Sequence, residues 1–262
     1  MPYVTVGNDE LYYDLKTGDP DKVIVFLHSL GTDHHLWEYQ VEKFAQEGYT
    51  IVLPDARGHG KSSSHDGVTA DLWVSDLLAI FQHLRLEQAI VCGLSMGGVA
   101  AMAFAITHPE RVRALVLADT FAKINPAIVD DKIKLTAGVA KEQGMKRYAY
   151  TYLDGTLSES ATAKAIRNSL RQAIAGMNVE AYAASAEACF RIDVEDQLGK
   201  IPAPTLVLIG EEDVKTPIGL SQTIAEQIPN AELRIVPKGQ HLSNVDNPGS
   251  FNQLLGAFLQ TV

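Results

Sequence analysis

Short apolar runs alternate along the chain with longer segments of helical periodicity. Parallel strands that are buried on both faces are continuous in Val, Ile and Leu, and Val23–Leu27 and Leu206–Ile209 have this composition. The alternation predicts βαβ units and therefore an α/β fold with a mostly parallel central sheet flanked by helices. The predicted strands of this sheet are Val23–Leu27, Thr50–Leu53, Ala89–Cys92, Ala114–Ala118, Thr205–Ile209 and Leu233–Val236.

A hairpin and five helices complete the predicted core. The apolar runs Tyr3–Val6 and Leu11–Leu15 are separated by Gly7-Asn8-Asp9, which predicts an antiparallel pair at one edge of the sheet. Segments of helical periodicity follow most of the strands. The predicted helices are Leu36–Glu47, Thr69–Leu84, Met96–Thr107, Pro217–Gln227 and Pro248–Gln260.

Residues 121–195 contain no convincing strand, although strands of the main sheet precede and follow them. Ile166, Leu170, Ile174 and Met177 recur at spacings of 4, 4 and 3, which places them on one face of a helix. We therefore predict that residues 121–195 form a helical cap inserted in a core made of residues 1–120 and 196–262. The alternative is a single long crossover packed on the sheet.

Composition and charge narrow the class of protein. With 262 residues, 46% hydrophobic and 21% charged, the chain has the composition of a soluble globular protein and not that of a disordered, collagenous or coiled-coil one. The net charge of −10 disfavours nucleic acid and anionic membranes as partners. The predicted cap has ten Lys/Arg and nine Asp/Glu, a charge of +1, which leaves −11 for the rest.

Cysteine usage and the absence of a leader-like start predict a cytoplasmic location. Cys92 and Cys189 lie far apart, so neither a disulfide framework nor a metal site is expected, and Cys92 is predicted to be a small core residue. The N-terminal residues lack a charged region followed by an apolar one, and no apolar stretch approaches 18 residues. The sequence leaves the oligomeric state open.

The motif Gly93–Gly98 directly follows a buried strand and opens a helix. A serine at so tight a turn is held in a strained backbone conformation, and the residues two before and two after it must be small because a Cβ would clash. Such a turn raises the Ser95 hydroxyl above the sheet and directs the N–H of Met96 toward a developing oxyanion. We therefore predict that Ser95 is a nucleophile.

A serine nucleophile needs a base, and the base needs a group that orients it. When a serine nucleophile lies at a strand-to-helix turn of this kind, its partners follow along the chain in the order acid, histidine. Asp213 lies four residues after Ile209, and His241 lies five residues after Val236. Because the carboxyl ends of parallel strands meet at one edge of a sheet, we predict a triad of Ser95, Asp213 and His241.

Other acids and histidines compete for these roles. Glu211 and Glu212 adjoin the predicted acid but are typical of a solvated charge run. His108 ends a helix, where an imidazole usually caps carbonyl groups, and His59 comes too early in the chain. The loop Asp55–Ser62 that contains His59 is predicted to support the serine turn through an Arg–Asp pair.

A second oxyanion donor is expected from the turn His28–Gly31, after the strand that ends at Leu27. Small and polar residues there allow the N–H of Leu30 to point into the same space as that of Met96. Each such donor typically contributes about 3 kcal/mol of transition-state stabilisation. His28 is interpreted as a structural hydrogen-bonding residue, and an ordinary strand-to-helix turn is the alternative for the whole segment.

Together these motifs resemble the α/β-hydrolase family, and the resemblance extends over nearly the whole chain. Three segments are similar to the 3-oxoadipate enol-lactonase branch: Ser29–Asp33 with Trp37, Leu117–Thr120, and His241–Val245. Esterases and cofactor-free perhydrolases share parts of them. Ser29 stands where the superfamily usually has a glycine after the histidine, and the enol-lactonase branch resembles this sequence at that position.

The residues and the resemblance together imply a serine hydrolase that cleaves a small-molecule carboxylic ester or lactone through an acyl-enzyme. This chemistry requires no metal or organic cofactor. The favoured hypothesis is a 3-oxoadipate enol-lactonase-like enzyme. The alternatives are a short-chain carboxylesterase, a cofactor-free perhydrolase, and a small-molecule receptor that keeps the triad.

Substrate-binding residues are harder to assign. Trp37 and Phe121 follow turns at the predicted active edge, where they either line the pocket or pack in the core. An enol-lactone that carries a carboxylate would need a nearby cation, although long charged side chains on helices usually face solvent. The candidate cations of the cap are Lys123, Lys132, Lys134, Arg147 and Arg191.

Overall fold

A single eight-stranded sheet organises the computed structural model, which describes residues 2–262. Its strands are β1 (Tyr3–Val6), β2 (Asp9–Lys16), β3 (Asp19–Leu27), β4 (Tyr49–Pro54), β5 (Ala89–Leu94), β6 (Val112–Ala118), β7 (Thr205–Gly210) and β8 (Ala231–Val236). They lie in the order β1-β2-β4-β3-β5-β6-β7-β8. β2 pairs antiparallel with β1 and with β4, and the pairs from β4 to β8 are parallel. The predicted mostly parallel sheet is confirmed.

Each predicted strand lies within an observed one, and the edge hairpin is present with Val6 opposite Asp9. The largest difference is at β3, which begins at Asp19, four residues before Val23. This first part is polar and exposed, and the register shifts before Val23, so the hydrophobic pattern gave no sign of it.

The predicted helices are also present, with differences of one or two residues at their ends. Helix α3 has the predicted bounds, and Thr69 caps α2 by accepting a hydrogen bond from the N–H of Leu72. The segment predicted from Leu36 instead begins with a 3₁₀ turn at His34–Trp37. The α-helices outside the segment between β6 and β7 are α1 (Glu38–Gln46), α2 (Ala70–Leu84), α3 (Met96–Thr107), α9 (Ile218–Gln227), α10 (Ser243–Asp246) and α11 (Pro248–Leu259).

The segment between β6 and β7 is helical. Its α-helices are α4 (Pro126–Ile133), α5 (Val139–Gln143), α6 (Met145–Asp154), α7 (Ala161–Gly176) and α8 (Val179–Arg191), with a π-helical turn at Lys134–Gly138. Within the described chain, the isolated bridge between Lys123 and Asp193 is its only β pairing. Ile166, Leu170 and Ile174 lie buried on one face of α7, and Met177 directly follows that helix. The division into a core and a cap at residues 121 and 195 stays a prediction.

Both faces of the sheet are covered by apolar side chains. Along β3, Ile24 and Phe26 belong to the cluster under α1 and α11, whereas Val25 belongs to the cluster under α2. This alternation explains why the strand is continuously apolar. Cys92 lies fully buried in β5, as predicted. Among residues 2–262, no helix is both long enough and apolar enough to cross a membrane.

Candidate active site

The turn between β5 and α3 holds Ser95 in a strained conformation, with φ 55° and ψ −115°. A Cβ at Gly93 would lie 2.2 Å from the carbonyl oxygen of Gly97, and one at Gly97 would lie 2.1 Å from that of Leu27. The expected need for small residues on both sides of the serine is therefore confirmed. The N–H of Ser95 donates to the carbonyl of Ala118 at 2.9 Å, which joins the turn to the end of β6.

The structure brings the three predicted triad side chains into one hydrogen-bonded row. Ser95 Oγ lies 3.0 Å from His241 Nε2, and His241 Nδ1 lies 2.9 Å from Asp213 Oδ2. All three residues are buried. Because a carboxylate only accepts hydrogen bonds, the network assigns the imidazole proton to Nδ1 and leaves Nε2 free to accept from the serine hydroxyl.

Several donors keep the Asp213 carboxyl ionised. Burial alone would raise its pKa, but the hydrogen bond and charge of His241, followed by hydrogen bonds from Thr216, lower this pKa from 3.8 to about 2. The hydroxyl of Thr216 donates to Oδ2 at 2.5 Å, and the N–H of Lys215 donates to Oδ1 at 2.7 Å. The carboxylate is therefore both charged and fixed in direction beside the imidazole.

The competing acids and histidines lie elsewhere. Glu211 and Glu212 are exposed, and the carboxylate of Glu211 accepts from the N–H of Lys238. His59 is fully buried with Nδ1 bonded to a backbone carbonyl, and burial lowers its pKa to about 3. His108 follows α3 and lies 3.7 Å from Glu110.

The two predicted oxyanion donors belong to the turn after β3 and to the start of α3. Met96 is the first residue of α3, so its N–H has no intrahelical partner. The carbonyl of Ser29 accepts from the N–H and the hydroxyl of Thr32, which closes the turn that carries Leu30. Within residues 2–262, neither the Leu30 nor the Met96 N–H donates a hydrogen bond to the protein. Their role as an oxyanion hole stays a prediction.

His28 anchors this turn. The N–H of Ala56 donates to His28 Nε2 at 2.9 Å, so Nδ1 carries the proton and donates to the carbonyl of Ser29 at 2.8 Å. Burial lowers the pKa of His28, which keeps the ring neutral. The structural role expected for His28 is confirmed.

A cavity of about 250 Å³ lies over Ser95 and His241, between the sheet edge and the helical segment. Leu30 belongs to its core side, and Phe121, Tyr148 and Tyr152 are among the residues that the helical segment contributes. The Tyr152 hydroxyl lies 3.2 Å from Ser29 Oγ, and burial raises the pKa of Tyr152 above its usual value, so the phenol is neutral. The wall combines apolar and aromatic side chains with hydroxyl groups and two lysines.

A family model described as "alpha/beta hydrolase fold" matches residues 22–248. The chain belongs to the α/β-hydrolase family. It is 33% identical over 250 residues to 3-oxoadipate enol-lactonase 2 of Acinetobacter baylyi, covering 93% of this chain and 91% of that relative.

Solved structures agree with this assignment. The enol-lactonase from Burkholderia xenovorans is 27% identical, with a TM-score of 0.89 over 99% of this chain and 100% of that one. A hydrolase from Pseudomonas aeruginosa is 29% identical, with a TM-score of 0.88 over 98% and 97% of the two chains. Both likenesses extend over nearly the full length, so they include the helical segment between β6 and β7 as well as the sheet.

Some of the predicted substrate-binding residues of this α/β-hydrolase line the cavity and others do not. Phe121 lines the cavity. The expectation that Trp37 lines the pocket is corrected, since its ring is fully buried in the core between Phe26 and Phe251, with centroid distances of 4.7 and 6.1 Å. An indole at a strand-to-helix connection can face either the pocket or the core, and packing against these two rings places Trp37 in the core.

The cations proposed for the pocket are mostly directed elsewhere, which corrects four of the five assignments. Lys123 pairs with Asp193 at 2.6 Å, and Arg191 pairs with Asp130 and with Glu187 on the outer surface. Arg147 is exposed and, like Lys134, does not line the cavity. Arg147 on α6 and Arg191 on α8 follow the usual preference of long charged residues on helices for solvent.

Lys132 is the candidate cation of the helical segment that does line the cavity, and Lys215 joins it from the loop after β7. Sequence reasoning missed Lys215. Its position two residues after Asp213, in a loop already assigned to the active edge, was the available signal.

The loop after β4 uses different ion pairs from those expected. Arg57 bonds to Asp9 on β2 and, at 2.7 Å, to Asp76 on α2. Asp55 instead accepts from His34 Nδ1 at 2.8 Å. The predicted Arg–Asp pair inside the loop is wrong, because the guanidinium is buried against two other elements.

Asp119 is a buried carboxyl for which the sequence suggested no role. Its Oδ1 accepts from the N–H of Gly210 at 2.7 Å, and its Oδ2 accepts from the Ser243 hydroxyl. It thereby joins the end of β6 to the start of the loop that carries Asp213 and to the helix that follows His241. Burial, followed by the charge of Asp213, raises the pKa of Asp119 well above its usual value.

Asp33, His34 and His35 form a cluster whose ligand atoms lie within 4.8 Å of one another. Both imidazoles already have carboxylate partners, His34 with Asp55 and His35 with Asp33. Asp33 also caps the 3₁₀ turn by accepting from the N–H of His35. Helix capping and imidazole pairing therefore account for the arrangement without an ion.

Proposed function

We propose that this α/β-hydrolase is a serine hydrolase that cleaves a carboxylic ester or lactone through an acyl-enzyme. The observation that carries the proposal is the hydrogen-bonded row from Ser95 Oγ through His241 to Asp213, at 3.0 and 2.9 Å. A buried serine hydroxyl next to an imidazole acceptor, with a carboxylate behind it, is the arrangement that activates serine for attack on an acyl carbon.

In the acylation step, Ser95 Oγ attacks the carbonyl carbon while His241 Nε2 takes its proton. Asp213 stabilises the resulting imidazolium and holds its orientation. The N–H groups of Leu30 and Met96 donate to the oxyanion of the tetrahedral intermediate. Collapse of the intermediate breaks the bond to the leaving oxygen, and His241 returns its proton to that oxygen.

Water completes the cycle by the same path. His241 takes a proton from water as the water attacks the acyl-enzyme, and the second tetrahedral intermediate then releases the carboxylic acid and restores the Ser95 hydroxyl. With an enol-lactone, the leaving enol remains attached to the acyl chain. Its tautomerisation to a ketone makes ring opening irreversible.

An enol-lactone of the 3-oxoadipate type is the substrate we favour. The 33% identity to an enol-lactonase of Acinetobacter baylyi, over 93% of the chain, supports this choice. The small cavity also suits a short acyl group, since about 250 Å³ falls below the usual range for drug-sized ligands.

The experiment combines active-site labelling with turnover. A fluorophosphonate should attach to Ser95, identified by peptide mass spectrometry, and the wild type should hydrolyse an enol-lactone in preference to p-nitrophenyl acetate. Ser95→Ala should abolish labelling and lower kcat on the order of 10⁴-fold or more. Ser75→Ala, which changes an exposed hydroxyl bonded to the carbonyl of Asp71, is the matched control and should leave both unchanged.

Other outcomes identify the alternatives. Faster turnover of neutral esters than of enol-lactones would indicate a carboxylesterase, and peracid formation from acetate and peroxide would indicate a perhydrolase. A single slow turnover with a ligand-dependent rise in Tm would indicate a receptor. Equal activity of Ser95→Ala and wild type would overturn the serine mechanism altogether.

A further inference from the structure

Two lysines from different parts of the chain meet at the cavity wall. Lys132 extends from α4 in the helical segment, and Lys215 belongs to the loop between β7 and α9. Lys132 Nζ donates to the backbone carbonyl of Lys215 at 3.4 Å. The N–H of Lys215 in turn donates to Asp213 Oδ1, so the lysines lie on the acid side of the proposed triad.

Neither ammonium group has an acidic partner. Among residues 2–262, no carboxylate lies within 4.0 Å of Lys132 Nζ or Lys215 Nζ, whereas Lys123 and Arg191, on the same helical segment as Lys132, are both paired. Partial burial and then the charge of Lys215 lower the pKa of Lys132, as expected for like charges brought together. A bound anion would compensate for the hydration that Lys132 loses on burial, and it would screen the repulsion between the two lysines.

The helical run that carries Lys132 presents one face to the cavity. Lys132, Leu135 and Thr136 have the spacing i, i+3, i+4, and all three line the cavity. The last two lie in the π-helical turn Lys134–Gly138, and such turns occur frequently at functional sites. Lys134, on the same run, is exposed and lies off this face.

We propose that Lys132 and Lys215 form a carboxylate-binding subsite, which selects substrates whose acyl chain ends in a carboxylate. The inference rests on the proposed function, since it places the ester carbonyl of the same molecule at Ser95. Two ammonium groups act as point charges with several donors each, so they accept a carboxylate without a demanding geometry. With this subsite, the preferred substrate is a short ester or lactone that carries a negative charge.

The test compares two substrates of equal chain length, mono-p-nitrophenyl adipate and p-nitrophenyl hexanoate, which differ in the terminal carboxylate. The wild type should show a kcat/KM at least about tenfold higher for the anionic ester, and this ratio should fall as NaCl is raised. Lys132→Met and Lys215→Met should each lower the ratio on the order of tenfold, chiefly through KM for the adipate ester. Lys134→Met is the matched control and should keep the wild-type ratio.

A second measurement needs no substitution. Free adipate should inhibit the wild type competitively, and its inhibition constant should rise with ionic strength. An unchanged ratio in both Met variants, or an equal loss in Lys134→Met, would overturn the subsite, as would a wild type that does not distinguish the two esters. These results differ from failure of the proposed function, in which neither ester is turned over and fluorophosphonate does not label Ser95.

Discussion

Replacement of Asp213 by Asn should disable the histidine without disturbing the fold. The carboxylate accepts from the backbone N–H groups of Lys215 and Thr216 on Oδ1, and from the Thr216 hydroxyl and His241 Nδ1 on Oδ2. The two backbone groups can only donate, so an asparagine must keep its carbonyl oxygen toward them. Its amide nitrogen then faces His241 Nδ1.

The consequence is the wrong imidazole tautomer. An amide N–H opposite Nδ1 requires that nitrogen to accept, which moves the ring proton to Nε2, 3.0 Å from Ser95 Oγ. A protonated Nε2 cannot take the serine proton. In a serine protease triad this exchange lowers kcat about 10⁴-fold, which corresponds to roughly 5 kcal/mol of barrier, and we expect a loss of the same order here.

The assay is kcat/KM for the preferred ester, with circular dichroism to verify folding. Glu212→Gln is the matched control, because it neutralises an exposed carboxylate one residue away, and its activity should stay within about twofold of wild type. A folded Asp213→Asn protein with more than a tenth of wild-type activity would refute the tautomer argument. So would a loss of similar size in the control.

The same variant has a signature in stability. The pKa of Asp213 is depressed from 3.8 to about 2, so its contribution is fully present above pH 3.8 and is lost as the pH falls through about 2. The shift corresponds to roughly 2 kcal/mol. Urea denaturation should therefore show the wild type losing up to about 2 kcal/mol more than Asp213→Asn between pH 5 and pH 2. Parallel losses would contradict the depressed pKa.

Three further predictions concern buried groups. Asp119→Ala should lower the free energy of unfolding by about 2–6 kcal/mol, because it leaves two buried donors without an acceptor. Asp119→Asn should lower it by less, and thermal denaturation of the two variants tests this order. Tyr152→Phe removes the hydroxyl that contacts Ser29, so it should lower the free energy of unfolding by about 1 kcal/mol. Because Ser29 belongs to the turn that carries Leu30, the variant should also lower kcat more than it raises KM; an unchanged kcat would show that the contact does not support catalysis. Burial raises the pKa of Cys92 well above the usual value and that of Cys189 to about 12, so neither thiol should react with iodoacetamide at pH 8 until urea unfolds the protein, as mass spectrometry would reveal.

The residues that sequence reasoning brought together lie at the ends of strands. Asp213 follows β7 and His241 follows β8, and both strands run parallel to β5, which ends at the Ser95 turn. Parallel pairing alone carries these three loops to one edge of the sheet. Their convergence was predictable because it follows from topology and does not depend on how any individual side chain packs.

Side chains outside the strand ends were less predictable. The sequence does not show which side chains of residues 121–195 face the sheet, so Lys123 and Lys132 were equal candidates. The structure pairs Lys123 with Asp193 and leaves Lys132 in the cavity wall. The partners of Arg57 lie on β2 and α2, far from it in sequence, whereas the acid closest in the chain, Asp55, bonds elsewhere. Which ion pairs form depends on which elements, distant in sequence, pack against one another.

The helical segment is tied to the loop that carries the histidine, so the proposed selectivity and the proposed chemistry are mechanically linked. The Asp246 carboxylate accepts from the N–H of Ser158 in the helical segment at 2.8 Å and from that of Gln240, next to His241, at 2.8 Å. The carbonyl of Thr156 accepts from the N–H of Leu242, on the other side of the same histidine. Because these bonds flank His241 on both sides, a shift of the helical segment would also move the imidazole relative to Ser95. The helical segment is therefore part of what positions His241, the proposed base, in addition to enclosing the cavity.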